Sequence, residues 1–435
     1  MRLKCLHKAM LICMGLAAAL ACAPALAQTS SSPGNPAPDD SATIQTLLKK
    51  IAELEAGQKQ MQQTIDKLSG PASTASRESA PSPSPAVPAT NTQGQADDTQ
   101  DAAEAHVLGP IQFQGFSDFN YGRAWFEKLP PNGLAHSPES FNIGDFDLFA
   151  NVRISEHWSM LGELLITSDF SNEFSAELDR LMLTYRANDY FKISFGKFDT
   201  ALGYYTNQFH RAQYFQYGIG RPIMYSDEDN GGILPVHNIG VSATGKIPSG
   251  TLGLHWVAEV ANGRSPGDIP VQNFVDENNG KAVDGALYIR PDWLRGLQSG
   301  FSVYHDTYHL SGLNAIGENI YTAHIAYMGA RFEWLNEAAV VRHAVHGTGE
   351  TYNLTTAYSE VSLAFGKNRP YFRYDFQNVP EADPIFGTLG RLNGPSVGFT
   401  RHLSNYVAFK IQYGRLSQRQ LPATNGFTTQ LAFAF

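Results

Sequence analysis

The chain has 435 residues, 43% of them hydrophobic, and a formal net charge of −9. An acidic balance of this kind speaks against nucleic acid as a partner, and beyond residue 27 no stretch offers the roughly 20 consecutive apolar residues that a membrane helix requires. All three cysteines, Cys5, Cys13 and Cys22, fall within the first 27 residues, so the remainder of the chain can hold no disulfide.

Arg2, Lys4 and Lys8 precede an apolar run from Ala9 to Ala23, and Ala25-Leu26-Ala27 supplies a small-x-small site before Gln28. This pattern predicts a secretory signal peptide over residues 1–27. Lipid attachment at Cys22 would need a better lipobox than Ala19-Leu20-Ala21. After a flexible stretch over 28–41, Ile44, Leu47, Ile51, Leu54, Gln58, Met61, Ile65 and Leu68 recur at alternating spacings of three and four. That is the a/d seam of a coiled coil over residues 42–68, a rod about 40 Å long expected to self-associate; β-branched a positions with Leu at d lean towards two strands, and a buried Gln58 can specify other numbers. Residues 69–106 are rich in Ser, Pro, Ala, Thr, Gln and Asp and contain no aromatic residue. Such a composition cannot bury enough apolar surface to offset its ordering entropy and predicts a disordered linker.

From residue 107 onward the texture changes to alternating segments of about ten residues, punctuated by Gly, Asn, Pro and Ser. Phe113 and Phe119 oppose Gln112, Gln114, Asp118 and Asn120; Phe146, Leu148, Ala150 and Val152 oppose Asp145, Asp147, Asn151 and Arg153. Leu252, Leu254, Trp256, Ala258 and Val260 form one apolar stripe, and Phe372, Tyr374 and Phe376 form another. The last strand puts Phe427, Thr429, Leu431, Phe433 and Phe435 on one face. Short turns such as Ser155-Glu156-His157, Ala187-Asn188-Asp189, Pro248-Ser249-Gly250, Lys367-Asn368-Arg369 and Leu403-Ser404 alternate with longer connections. The expected fold is an all-β transmembrane barrel of about sixteen antiparallel strands over 107–435, with residues 316–345 poorly patterned.

The architecture resembles the Gram-negative outer-membrane porin superfamily: a signal peptide, about sixteen strands, and a terminal strand ending in phenylalanine. The segment Phe195-Gly196-Lys197-Phe198 resembles a short motif of phosphate-selective porins and their relatives, several of which carry a periplasmic coiled coil. The resemblance implies an outer-membrane protein contacting lipid, assembled as a homotrimer, with Phe427, Leu431, Phe433 and Phe435 as the signal read by the barrel assembly machinery. It implies passive diffusion of small hydrophilic solutes or ions; the alternatives are a phosphate- or anion-selective channel, and an envelope tether reaching peptidoglycan through the N-terminal segment.

Residues 199–236 form the longest connection in the barrel, and loops of this length are usually functional. The resemblance assigns this segment as the constriction loop. It carries His210, and Arg211, Arg221 and the triplet Asp227-Glu228-Asp229 are expected to charge the narrowest point. Arg153, Arg180, Arg186 and Lys192 are expected to form an opposing basic wall in the lumen, or to brace it through carboxylates such as Glu163 or Asp145. No metal or cofactor is expected: Gly231 stands where a calcium loop needs an oxygen ligand. No His-Glu-x-x-His motif or phosphate-cradling glycine loop occurs, and His255, His305, His324 and His343 have no evident partner in sequence, so the chain is not expected to be an enzyme.

Overall fold

The computed structural model describes residues 111–127, 139–168, 173–211, 213–226, 232–264, 272–276, 278–309, 314–419 and 421–435. The expected signal peptide, coiled-coil seam and linker, together with Asp227, Glu228 and Asp229, lie outside the described residues.

Sixteen strands form one closed antiparallel barrel. They are β1 (Ile111–Phe126), β2 (Ser140–Arg153), β3 (Trp158–Ser168), β4 (Phe174–Asn188), β5 (Phe191–Asp199), β6 (His237–Ile247), β7 (Leu254–Ala261) and β8 (Ala282–Ile289). The second half comprises β9 (Leu297–Tyr308), β10 (Ile316–Met328), β11 (Phe332–Val345), β12 (Thr351–Leu363), β13 (Asn368–Asn378), β14 (Arg391–His402), β15 (Val407–Gln418) and β16 (Thr424–Ala434). Each strand pairs with its sequence neighbours, and β16 closes on β1 in the register Phe116↔Ala434 to Phe126↔Thr424. The backbones of Gly115 and Phe435 exchange two further hydrogen bonds of 2.8 and 2.9 Å, which seal the seam to the last residue. Closure removes the unpaired edge that any open sheet would present.

The two ends of the barrel differ. One carries tight turns, such as 154–157 between β2 and β3 and 403–406 between β14 and β15; the other carries the long connections, including 200–236 and 379–390. Both the start of β1 and Phe435 lie at the tight-turn end.

The outer wall is apolar and exposed. Phe113, Phe141 and Phe174 are 64%, 67% and 66% accessible, and Leu181, Leu183, Phe372, Tyr374 and Leu431 also stand open. Such a continuous apolar surface is unstable in water and calls for a lipid or protein partner. The structure amends the expected pattern at two points. Leu252 belongs to a 3-10 turn, Gly250–Leu252, so the stripe of β7 begins at Leu254. The poorly patterned stretch 316–345 forms two long strands, β10 and β11, paired from Ile316↔Val345 to Met328↔Glu333.

Candidate functional site

The connection between β5 and β6 turns into the barrel instead of standing above it. Thr200 pinches its neck, donating its N–H to the Val236 carbonyl (2.9 Å) and its hydroxyl to the Pro235 carbonyl (2.8 Å). The chain then crosses to the far wall, where a short helix, α1 (Tyr205–Phe209), begins. Glu337 of β11 receives it there: its buried carboxylate accepts the N–H groups of Tyr204 (2.5 Å) and Tyr205 (2.8 Å) and the hydroxyls of Tyr225 (2.8 Å) and Tyr358 (2.7 Å). Gly203 makes this approach possible, with φ +72° and a position where a Cβ would stand 1.7 Å from the Tyr225 hydroxyl.

Beyond α1 the loop follows the inner wall. Lys410 of β15 donates to the Gln213 carbonyl (2.5 Å), Tyr214 donates to the Asn405 carbonyl (2.6 Å), and Thr400 of β14 donates to the Tyr217 carbonyl (2.7 Å). Ile219 N–H reaches Gln412 (3.0 Å), Arg373 donates to the Gly220 carbonyl (2.9 Å), and Ile223 N–H reaches Asp375 (3.1 Å). Leu202, Tyr205, Phe209, Met224, Ile233 and Leu234 pack with inward residues of β9 to β12, among them Tyr304, Leu335, Val341 and Leu354. A second hydrophobic group joins Phe116, Phe149 and Tyr214 to Phe215. Loop and wall thus share a buried core, the usual basis of a fixed rather than a fluctuating segment.

Part of the lumen beside β13 to β16 is unfilled. A cavity of about 300 Å³ opens there, lined by Ile223 of the loop and by Arg373, Asp375, Ser396, Gln412 and Thr428 of the wall. Gly394, Gly414 and Gly426 contribute no side chain to it. A similar hollow of 340 Å³ by Arg331 and Phe365 sits at a tight turn and has no loop contact.

A dense charge network lies under the loop. The β3–β4 register passes from Glu163↔Arg180 to Leu164↔Leu178, so Asp179 is the extra residue of a β-bulge, and both it and Arg180 are buried. Arg180 bonds Glu163 through Nε and Asp199 through Nη1 (2.9 Å), and its guanidinium lies over the Phe149 ring. Arg211 donates to Asp179 (2.7 Å). His210, at φ 45°, is the one non-glycine with positive φ among the described residues; its ring lies 2.9 Å from Asp179 and 2.8 Å from Asp199.

Of the two expectations for the basic residues, bracing of the wall describes the contacts of Arg180. Arg180 braces the wall through Glu163, whereas Asp145 uses its backbone N–H toward Asp118 (3.2 Å). Arg211 and Arg221 hold the loop, Arg221 donating to the carbonyls of His210 (2.7 Å) and Tyr225 (3.2 Å). Arg153 is exposed beside the β2–β3 turn, and Arg186 and Lys192 are register partners beside the β4–β5 turn; none of these three joins the Arg180 network. In the Phe195-Gly196-Lys197-Phe198 segment, Gly196 (φ +129°) lets β5 approach the Leu181 carbonyl, and Lys197 is buried against Glu177 (2.6 Å).

Sequence reasoning missed Glu337 and a second network, in which Arg264 and His343 meet Glu318 (2.8 and 3.0 Å) and His343 meets Asp383 (2.6 Å). The histidines read as unpartnered are in contact with neighbours: His324 with Gln298 (3.2 Å), His305 with Asn319 (3.0 Å), and His255 stacked on Tyr288.

The loop phenols report its packing. Burial, reinforced by nearby Glu337, pushes Tyr225 well above its usual value, and burial with Glu333 pushes Tyr217 up to about 12. A phenol held neutral in the folded state contributes stability in full below 10.0, its ordinary value, and loses it as the pH rises through about 12. Alkaline titration of the folded barrel is therefore expected to leave these loop tyrosines un-ionised when surface tyrosines already absorb as phenolate. Full phenolate absorbance from every tyrosine near the ordinary value would show that the loop is not packed.

No family model matches the chain, and no curated protein matches it. Among solved structures, the outer membrane channel DcaP of Acinetobacter baumannii aligns with a TM-score of 0.52 at 10% identity, over 75% of this chain and 97% of that one. Salmonella typhi OmpF, solved as a complex with daunomycin, aligns with a TM-score of 0.51 at 11% identity, again over 75% and 97% of the two chains. At these identities the likeness defines the fold alone, a closed antiparallel barrel like those of the two outer-membrane proteins.

Proposed function

We infer that the protein is an outer-membrane porin, a water-filled channel for passive diffusion of small hydrophilic solutes or ions, narrowed by residues 200–236. The observation that carries this reading is the loop itself, bonded from Glu337 to Gln412 along the inner wall of a closed barrel whose outer wall is apolar. A low-dielectric wall with polar groups at a narrow passage focuses their field on a passing solute. The assembly is proposed to be a homotrimer in the outer membrane, with the N-terminal segment periplasmic. Liposomes carrying the full chain should swell at rates that fall steeply with the size of an uncharged solute. Swelling no faster than protein-free liposomes would refute the channel.

The second reading, an anion- or phosphate-selective channel, draws on Arg153, Arg186 and Lys192 near the tight-turn end. It gains nothing from Arg180 or Lys197, whose charges are already matched by carboxylates. Asp227, Glu228 and Asp229 are proposed to set ion preference at the constriction. Replacing all three by their amides is expected to shift the reversal potential toward anions; an unchanged potential would remove them from the narrowest point.

A further inference from the structure

Asp179 of β4, His210 at the end of α1 and His237 at the start of β6 come together beneath the loop. Their side chains are 0%, 3% and 4% exposed. One ligand-capable atom from each lies within 4.8 Å of the other two. His237 Nε2 stands 3.5 Å from Asp179 Oδ1 and 3.4 Å from Asp199 Oδ1, and His210 Nδ1 is 2.8 Å from the same Asp199 oxygen.

The hydrogen bonding is incomplete in an instructive way. Asp179 Oδ1 and His237 Nε2 are buried and lack a hydrogen bond of acceptable geometry, while His210 Nδ1 faces Asp199 Oδ1 at 2.8 Å and His210 Nε2 lies 2.9 Å from Asp179 Oδ2. A buried polar atom without a partner costs about 1–3 kcal/mol, so two facing each other at one place need a common explanation. Arg211 engages the other Asp179 oxygen, Oδ2, at 2.7 Å, and Lys197 stays 4.0 Å from Oδ1. Around the histidines stand the carboxylates of Asp147, Glu163, Asp179 and Asp199, against Arg180, Arg211 and a Lys197 that is shared with Glu177. Zinc bound tetrahedrally at about 2.0–2.1 Å sets its ligand atoms roughly 3.3 Å apart, close to the two separations at His237.

We propose that Asp179, His210 and His237 form a binding site for a divalent transition cation of the zinc type, with Asp199 as the adjacent carboxylate able to complete the shell. Two imidazoles with carboxylate oxygen suit such a cation better than calcium or magnesium, which prefer oxygen alone. The bound ion would join the loop, through His210, to the walls at β4 and β6. The site stands apart from conduction: it is read by metal content, whether or not the barrel passes solutes.

Because the site is buried, the full chain is unfolded and refolded into detergent with Co²⁺, then freed of excess metal by gel filtration. One Co²⁺ per chain is expected, with the intense visible absorption of a four-coordinate imidazole–carboxylate site and loss of the bands on adding Zn²⁺. His237→Asn and His210→Asn should each weaken binding by about tenfold or more, whereas His343→Asn, at a different buried histidine, should leave it intact. Heat-modifiable migration identifies folded samples. Failure of folded wild-type protein to retain Co²⁺ overturns the site, and so does retention that is unchanged in folded His237→Asn. If neither ligand variant folds, the wild-type stoichiometry and band intensity decide: sub-stoichiometric metal, or the weak bands of six-coordinate cobalt, count against the site.

Discussion

Glu337→Ala is expected to raise single-channel conductance and make it fluctuate. One carboxylate holds the first half of the loop, accepting from two backbone N–H groups and two tyrosine hydroxyls. Its removal strands four buried donors, each costing about 1–3 kcal/mol if unsatisfied, with the sum reduced by relaxation and water entry. A net loss of about 3 kcal/mol raises the population of undocked loop roughly 100-fold. Glu337→Gln keeps the carbonyl acceptor and should fall between wild type and Ala. Planar-bilayer recordings of the three proteins check this order. Equal and quiet conductance in all three would mean that the Glu337 anchor does not limit the passage.

Arg180→Leu is expected to destabilise the barrel by about 3–5 kcal/mol, because removing one partner of a buried ion group leaves uncompensated charge. Glu163 and Asp199 both depend on this guanidinium, and each side chain is fully buried. Arg180→Lys restores a positive charge but not the planar fork that reaches both carboxylates, so it should recover only part of the loss. The triple variant Arg180→Leu, Glu163→Gln, Asp199→Asn should be more stable than Arg180→Leu alone, since the stranded charges are gone. Urea unfolding followed by heat-modifiable migration measures all of these. A shift within about 0.5 kcal/mol for Arg180→Leu, the range of ordinary surface substitutions, would place the arginine in solvent and overturn its bracing role.

Where one strand face meets lipid and the other meets water or charged groups, the sequence is legible. Phe372, Tyr374 and Phe376 against Arg373, Asp375 and Gln377 is such a case, and the buried and exposed classes follow that alternation. The pattern fades at β10 and β11 for a physical reason. Their inner face packs the loop and is itself apolar in part, with Ile316, Ile320 and Ala326 inside and Tyr321 and Ile325 outside, so a period of two separates little. Glu337 hides in that stretch. The length and position of the loop were readable, because no strand pattern fits 200–236. Its anchors were not, since Glu337 is 133 residues from Tyr204 and a single carboxylate carries no local signature. The inward side of Arg180 and its pairing with Glu163 were readable; Asp179 was not, because the bulge there places two successive side chains in the interior and breaks the parity that a regular strand would obey.

The central claim, that the barrel is a channel throttled by its own loop, is tested most directly by recording wild-type protein and Glu337→Ala side by side in planar bilayers under a salt gradient. Discrete conductance steps from the wild type, and larger, noisier steps from the variant, are predicted. Folded, heat-modifiable protein that gives no steps in either form would contradict it.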